Sequence, residues 1–516
     1  MNSTSELTYD AVPYQSYPYA STRPANIFTI GTLFGVSVPN FRTARVLELG
    51  CASGGNLIPL AFQYPDGRYT GIDSSELQIE MADKTVSDLG LENIEFIGRP
   101  FADMPPLDKF DYIICHGVYS WVDQGARNRI LEICRTHLVE NGLAVISYNA
   151  LPGWNMVRSL REMMLYQANL FKDPVEKVNQ AMELLRFVRD NNPEGSAYRA
   201  VIDNEINYLS EQTISHIAHD HMESENTAFY FHEFAAALQQ HGLQYVGDSD
   251  ITRMYVENMP ADAAEKLEAV TDILRQEQYM DFIRNRRFRS SIVCPATTAL
   301  NRNLRRELIQ DFYLSSSITP DPEDVKAEAA DTRFRGPEGK VVFSAHTRDA
   351  AALFSQLSES RRPIKSGDLI DMVAKNFTGA DREALHGLLE QIGLQLVLKG
   401  FISLYAEVGN YVSDIPEMPE ASRLARYQAS VQGWATNARH EKINHDQFTR
   451  LLIDYLDGTH SFDDLCQIMF EQVGKRALGI QLDGEDIADI EQCRLVIRQL
   501  TDNALNRFAR TALLVA

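Results

Sequence analysis

Between residues 45 and 150, short β-rich runs alternate with helical stretches, and no other feature of this chain narrows its architecture as much. The runs are RVLELG (45–50), RYTGID (68–73), IEFIG (94–98), FDYIIC (110–115) and LAVISY (143–148), and the helical pieces include ELQIEMADKTVSDLG and ARNRILEICRTHLVENG. Alternation of this kind predicts a doubly wound α/β sheet, parallel and covered by helices on both faces. Ligands of such sheets sit at the carboxyl ends of the strands.

The rest of the chain is organised around that unit. Residues 155–225 read as helices broken by NNPEG at 191–195, an insertion that caps the sheet edge. FHEFAAALQQHGLQYVGDSD (231–250) then supplies an amphipathic helix, a glycine stop at 242 and a resumed strand, so the core is expected over 1–154 and 226–260. Residues 261–330 are expected to be a helical middle segment, with the basic run RNRRFR at 284–289 on helical spacing and ITPDPEDVKAEAAD (318–331) as linker. Over 331–516, TRFRGPEGKVVFSAH predicts a hairpin turning at GPEG. Helices and a short hairpin in GFISLYAEVGNYVSD follow, the order of a winged-helix-like module.

Composition excludes several function classes. The 516 residues are 44% hydrophobic and carry six cysteines scattered singly, the pattern of reduced thiols rather than of zinc or disulfides. A net charge of −22 argues against a nucleic-acid scaffold, because phosphate neutralisation needs clustered Lys and Arg. The N-terminus lacks the basic and apolar regions of a signal peptide, and no apolar run approaches the roughly 20 residues of a bilayer span. A cytoplasmic location without membrane insertion is expected.

The loop VLELGCASGGN has Gly50, Gly54 and Gly55, but Ala52 stands where a dinucleotide loop places its second glycine. A Cβ there obstructs a pyrophosphate, and Glu48 at the strand end would repel one. The same carboxylate suits a cofactor bearing a sulfonium and an ammonium, S-adenosylmethionine (AdoMet). Asp73 ends the second strand 23 residues after Gly50, close to the spacing of a carboxylate that accepts from ribose hydroxyls. The bland alternative is a buried strand end with a tight turn, and Asp73 as a helix cap. Asn56 and Ser74 complete the expected cofactor set around this loop.

These residues, with YDAVPYQSYPYASTRP (9–24), GIDSSELQI (71–79), CHGVYSWV (115–122), SYNALPGW (147–154), FIRNRRFR (282–289), SRLARYQA (422–429), TNARHE (436–441) and LDGT (456–459), carry a resemblance. The chain resembles bacterial class I methyltransferases with a methyltransferase regulatory domain, whose best studied members are protein-lysine methyltransferases acting on outer-membrane proteins. The resemblance implies a Rossmann-like AdoMet-binding core with a helical insertion, a middle domain and a C-terminal winged-helix-like domain, often within a homodimer. Ala52 is frequent at its position in this family, whereas Ser53 stands where an acid is common.

Methyl transfer asks for orientation, desolvation and removal of the nucleophile's proton. CHGVYSWV follows the fourth strand, which places His116, Gly117 and Val118 near the cofactor and Tyr119 and Trp121 nearer the acceptor. YNALPGW follows the fifth strand and brings Tyr148, Asn149 and Trp154 to the same edge. Aromatic faces hold cations by about 0.5–2 kcal/mol, and Tyr119 and Tyr148 are candidates to relay a proton. Phe101 and Ala102, after the third strand, are expected to border the adenine, and Tyr14 to fold over the cofactor as a lid. His216, His219 and His221 form an HxxHxH pattern that reads as a polar face rather than a metal site. By resemblance, His219 and Asp220 line the acceptor side.

Three functions are compatible with these features: an AdoMet-dependent methyltransferase of protein lysines, a small-molecule methyltransferase, and a non-catalytic AdoMet-binding regulator. The aromatic segments favour chemistry over mere binding.

Overall fold

The structure is a computed structural model that describes residues 14–515, apart from 224, 327–330, 378, 476–478, 480, 483–484 and 487–488. Residues 9–13 of the N-terminal motif and 327–330 of the expected linker lie outside the described residues.

Seven strands form one sheet: β1 (Arg45–Leu49), β2 (Arg68–Asp73), β3 (Ile94–Gly98), β4 (Phe110–Cys115), β5 (Leu138–Asn149), β6 (Leu243–Asp248) and β7 (Phe288–Pro295). Their order is β3-β2-β1-β4-β5-β7-β6, parallel from β3 through β5, with β7 antiparallel to both neighbours. Side chains alternate between two buried faces, so the strands read as nearly unbroken apolar runs. On one face Val46, Tyr112, Ile114 and Val145 pack under α1 (Pro24–Leu33) and α2 (Leu57–Gln63). α3 (Glu76–Leu89) links β2 to β3, with Ser75 as its cap and Gly90 ending it in the left-handed region. On the other face Leu47, Leu49, Ile113 and Ile146 pack under α4 (Gln124–His137).

The insertion is helical, as expected, and spans α5 (Trp154–Ala168), α6 (Pro174–Asp190), α7 (Ala197–Ser210) and α8 (Ile214–Met222), with an apolar cluster of its own. Three further helices, α9 (Phe231–Gln240), α10 (Ala261–Glu268) and α11 (Ile273–Arg284), precede β7.

Residues 261–330, expected as a helical middle segment and linker, also supply β7, which inserts between β5 and β6 in the central sheet. Helical spacing of the RNRRFR arginines concealed this. Asn285 turns the chain in the left-handed region (φ 48°), after which Arg286 and Arg289 are buried. Arg289 donates to Asp281 at 2.7 and 3.0 Å and to Glu277 at 2.8 Å, while Arg286 pairs with Asp248. Carboxylates on β6 and α11 make that burial tolerable.

The hairpin turning at GPEG is present, with Thr332–Arg335 antiparallel to Val341–Ala345. GFISLYAEVGNYVSD is not a hairpin: its one strand, Ile402–Tyr405, pairs with Tyr313–Ser316 far upstream. Residues 309–402 share one apolar core, and residues 421–514 another. In the latter, Trp434–Thr436 and Lys442–Asn444 form a hairpin beside helices Arg423–Gln432 and Ile490–Arg510.

Candidate functional site

A cavity of about 970 Å³ opens beside the ends of β1, β2 and β4, under the inserted helices. Gly50 (φ 74°) starts the loop after β1, and a Cβ there would stand 2.3 Å from Val118 Cγ2. Ala52 holds a left-handed φ of 46° and donates its N–H to Asp73 Oδ2 at 2.8 Å, while Ser75 N donates to Asp73 Oδ1 at 3.0 Å. Asp73 therefore ties the loop to β2, and the helix cap is Ser75.

Doubled glycine has two separate causes. Gly54 makes the turn (φ 75°), packs toward Phe96 and Ile58, and is not part of the cavity wall, which corrects its expected place beside the cofactor. Gly55 lets the N-terminal segment approach: a Cβ there would lie 2.2 Å from Ser16 O, and Gly55 N donates to Ser16 Oγ at 2.9 Å. That segment brings Tyr14, Ser16 and Tyr19 to the cavity, and Tyr14 O accepts from Gln78 Nε2 at 3.2 Å.

Glu48 is only 4% exposed, yet it lines the cavity. Its Oε1 accepts from Asn56 Nδ2 at 2.7 Å, and its Oε2 is buried without a protein partner. Burial pushes the carboxyl up to about 8, against the lowering hydrogen bond from Asn56. Ser74, Phe101, Ala102, His116, Gly117 and Val118 line the same cavity. His116, its ring tilted at 42° against Tyr19 with centroids 4.0 Å apart, is held neutral by burial, which pulls its imidazole down to about 4.

At the cavity wall where the acceptor was expected, Trp121 and Trp154 face each other edge to face at 6.1 Å, and Trp154 Nε1 donates to Asn226 at 2.7 Å. Asn149 joins them at the wall. Gly153 permits the turn, because a Cβ would meet Asn285 O at 2.2 Å. Tyr119 and Tyr148 are not brought here. They are 3% and 1% exposed, packed with Phe229 and Phe234 in the core, and Tyr148 Oη meets Ser291 Oγ at 3.3 Å. Alternation along β5 directs Tyr148 into the core, and burial raises both phenols.

Tyr208, His216 and Asp220 from the inserted block and Arg287, just before β7, line the cavity here, and Asp220 is one the resemblance placed on the acceptor side. Tyr208 Oη and Asp220 Oδ2 lie 3.1 and 3.2 Å from His216 Nε2, and Arg287 reaches Glu205 at 3.0 Å. Burial raises the Asp220 carboxyl, opposed by His216, His221 and His219. The HxxHxH segment, expected as a polar face, is a cavity wall in which His219 and His221 are buried. HxxHxH spacing was visible in the sequence; its orientation was not.

Residues 40–245 match a family described as a methyltransferase domain, residues 214–295 one described as “Predicted methyltransferase regulatory domain”, and residues 417–513 “PKMT, C-terminal winged helix domain”. The winged-helix match falls inside residues 331–516, where a winged-helix-like domain was expected, but past the segment GFISLYAEVGNYVSD read as its wing. An uncharacterized protein of Rickettsia prowazekii (strain Madrid E) is 36% identical over 98% of this chain and 93% of its own. A solved structure, PKMT2 from Rickettsia typhi in complex with AdoHcy, is 32% identical, with a TM-score of 0.88 over 98% of this chain and 100% of that one.

Proposed function

This chain belongs to the family of methyltransferases that join a methyltransferase regulatory domain to a PKMT C-terminal winged-helix domain, and from that premise we propose that it moves the methyl group of AdoMet to lysine side chains of a protein. The observation that carries the reading is Glu48, whose unpartnered buried Oε2 shares a cavity with Asp73.

The residues fit the cofactor. A buried carboxylate oxygen without a donor suits an ammonium or sulfonium, and a carboxylate at Asp73 is the acceptor that ribose hydroxyls require. Phe101, Ala102 and Val118 offer apolar surface for an adenine. Tyr14, Gly50, Ala52, Asn56, Ser74, His116 and Gly117 complete the proposed cofactor set. AdoMet, when bound, supplies an electrophilic methyl group.

Trp121, Trp154 and Asn149 keep their proposed place at the acceptor, the indoles offering faces to a cation. An acceptor ammonium has an ordinary pKa of about 10.4 and must shed a proton before it attacks. Asp220 takes that proton in this reading. Its carboxyl is raised by burial, and it lies 3.2 Å from His216 Nε2.

The catalytic unit in this proposal is 1–154 with 226–295, 155–225 forms the acceptor wall, and the C-terminal regions support it. We further read the protein as cytoplasmic, homodimeric and not a nucleic-acid binder. Among the described residues no helix is long and apolar enough to cross a membrane.

Incubation with methyl-labelled AdoMet and a protein extract, followed by hydrolysis and amino-acid analysis, is expected to place label in Nε-methyl-lysine. Label confined to small molecules would move the assignment to a small-molecule methyltransferase. Cofactor binding with no label anywhere would make the chain a regulator.

A further inference from the structure

Asn56 connects the cofactor cavity to a side chain 384 residues away. Its Oδ1 lies 2.8 Å from Nε2 of His440, which is fully buried and stands on the loop between the two strands of the C-terminal hairpin. The direction of each hydrogen bond is determined by the others. Asn56 Nδ2 donates to Glu48 Oε1 at 2.7 Å and to Thr22 Oγ1 at 3.1 Å, and Thr22 in turn donates to Tyr19 O at 3.0 Å. Tyr19 N donates to Asn56 Oδ1 at 3.0 Å, so flipping the amide would set two donors against each other. Oδ1 is an acceptor, and His440 must therefore carry its proton on Nε2.

We propose that His440 is a positioning residue of the cofactor site: the C-terminal domain, through His440 and Asn56, sets where the Glu48 carboxylate points. The proposal rests on the cofactor assignment above and adds to it a contribution of the C-terminal domain to methyl-donor binding.

His440 is built for a fixed aim. It has a left-handed φ of 64°, and Asn437 brackets its loop, with Asn437 Oδ1 accepting from Arg439 N and Glu441 N and Asn437 Nδ2 donating to Thr511 O at 2.7 Å. Gln63 Nε2 on α2 donates to Ala438 O at 3.2 Å, which ties the same loop to the core. Burial and then Arg23 pull the imidazole down to about 3, so the ring is neutral and presents Glu48 with an oriented dipole chain rather than a charge. Glu48 Oε1 is thereby pinned, and Oε2 is left toward the cavity.

The test uses the full-length chain and three variants, His440→Met, His440→Gln and Glu48→Gln, with the His440→Met/Glu48→Gln double variant. Methionine keeps much of the imidazole's reach without a donor, and glutamine restores an N–H. Calorimetric binding of AdoMet to the parent comes first, and its absence would defeat the cofactor reading itself. With binding established, His440→Met is expected to weaken AdoMet affinity by about 5- to 30-fold, the value of one or two hydrogen-bond equivalents. Its kcat at saturating AdoMet and its KM for the acceptor should stay within about threefold. His440→Gln should recover most of the affinity. In the Glu48→Gln background the same His440→Met change should cost less than about threefold, because the group being aimed is gone. An unchanged affinity in His440→Met overturns the proposal. So does an equal loss in both backgrounds, which would mark His440 as a structural residue that acts on the whole domain.

Discussion

Glu48→Gln separates folding from binding, because the two respond to this carboxylate with opposite signs. The folded protein holds the Glu48 carboxyl at about 8, against an ordinary 4.5. An acid raised on folding contributes its full stability below the ordinary value, and that contribution is lost as pH rises through the folded one. Between pH 5 and pH 8 the ligand-free parent should therefore lose about 4 kcal/mol that the variant keeps, at roughly 1.4 kcal/mol per pH unit. Gln preserves an acceptor for Asn56 Nδ2 but brings an amide N–H₂ of its own, costing about 1–3 kcal/mol if unsatisfied. The variant is thus expected to be less stable than the parent by about 1–3 kcal/mol at pH 5 and more stable by about 1–3 kcal/mol at pH 8. Binding runs the other way. A unit charge about 5 Å from the carboxylate, at an effective dielectric of 20, interacts by roughly 3 kcal/mol, so AdoMet affinity should fall on the order of 100-fold. In the parent, affinity should also tighten by up to about tenfold from pH 7 to above pH 8, as binding need no longer expel a proton. The variant, measured in parallel, removes any contribution from the ligand's own titration. Urea unfolding at pH 5 to 8.5 without ligand, together with calorimetric Kd at the same pH values, gives both quantities. Parallel stability curves for the two proteins, or an unaltered Kd in the variant, would refute the reasoning.

Gly55→Ala should displace the N-terminal segment from Ser16 onward, since its Cβ would meet backbone at 2.2 Å; AdoMet affinity is expected to drop roughly tenfold, with faster proteolysis near residue 16. Tyr148→Phe removes only the contact to Ser291. It should cost about 0.5–1.5 kcal/mol in unfolding experiments and leave kcat/KM within about twofold, whereas a hundredfold loss would return Tyr148 to the chemistry. Asp220→Asn should lower kcat by about 100-fold or more, with AdoMet Kd unchanged and the acid limb of the pH–rate profile lost. Arg289→Met leaves Glu277 and Asp281 buried without their cation, and unfolding should show a loss of about 3–5 kcal/mol.

Strand-helix alternation was enough to read β1 to β5, their helices and the side of the sheet that binds ligand, because local hydrophobic period and crossover geometry are short-range properties. The positions of Glu48, Gly50 and Asp73 were equally legible, since they follow from strand ends and a loop of a few residues. What the tertiary structure decided depends on partners far along the chain. β7 was hidden because arginines that share helical spacing are neutralised there by carboxylates of other elements, Asp248 on β6 and Glu277 and Asp281 on α11. Tyr148 exchanged a catalytic expectation for a core one, because strand direction and α9 determine which face it joins. His216, Asp220 and Tyr208 became cavity wall only when the insertion folded back over the sheet. His440 belongs to the cofactor site through a single buried amide at Asn56. Cofactor chemistry is thus a local property of this sequence, while the acceptor wall and the aim of Glu48 are set by contacts that form only when the distant segments pack.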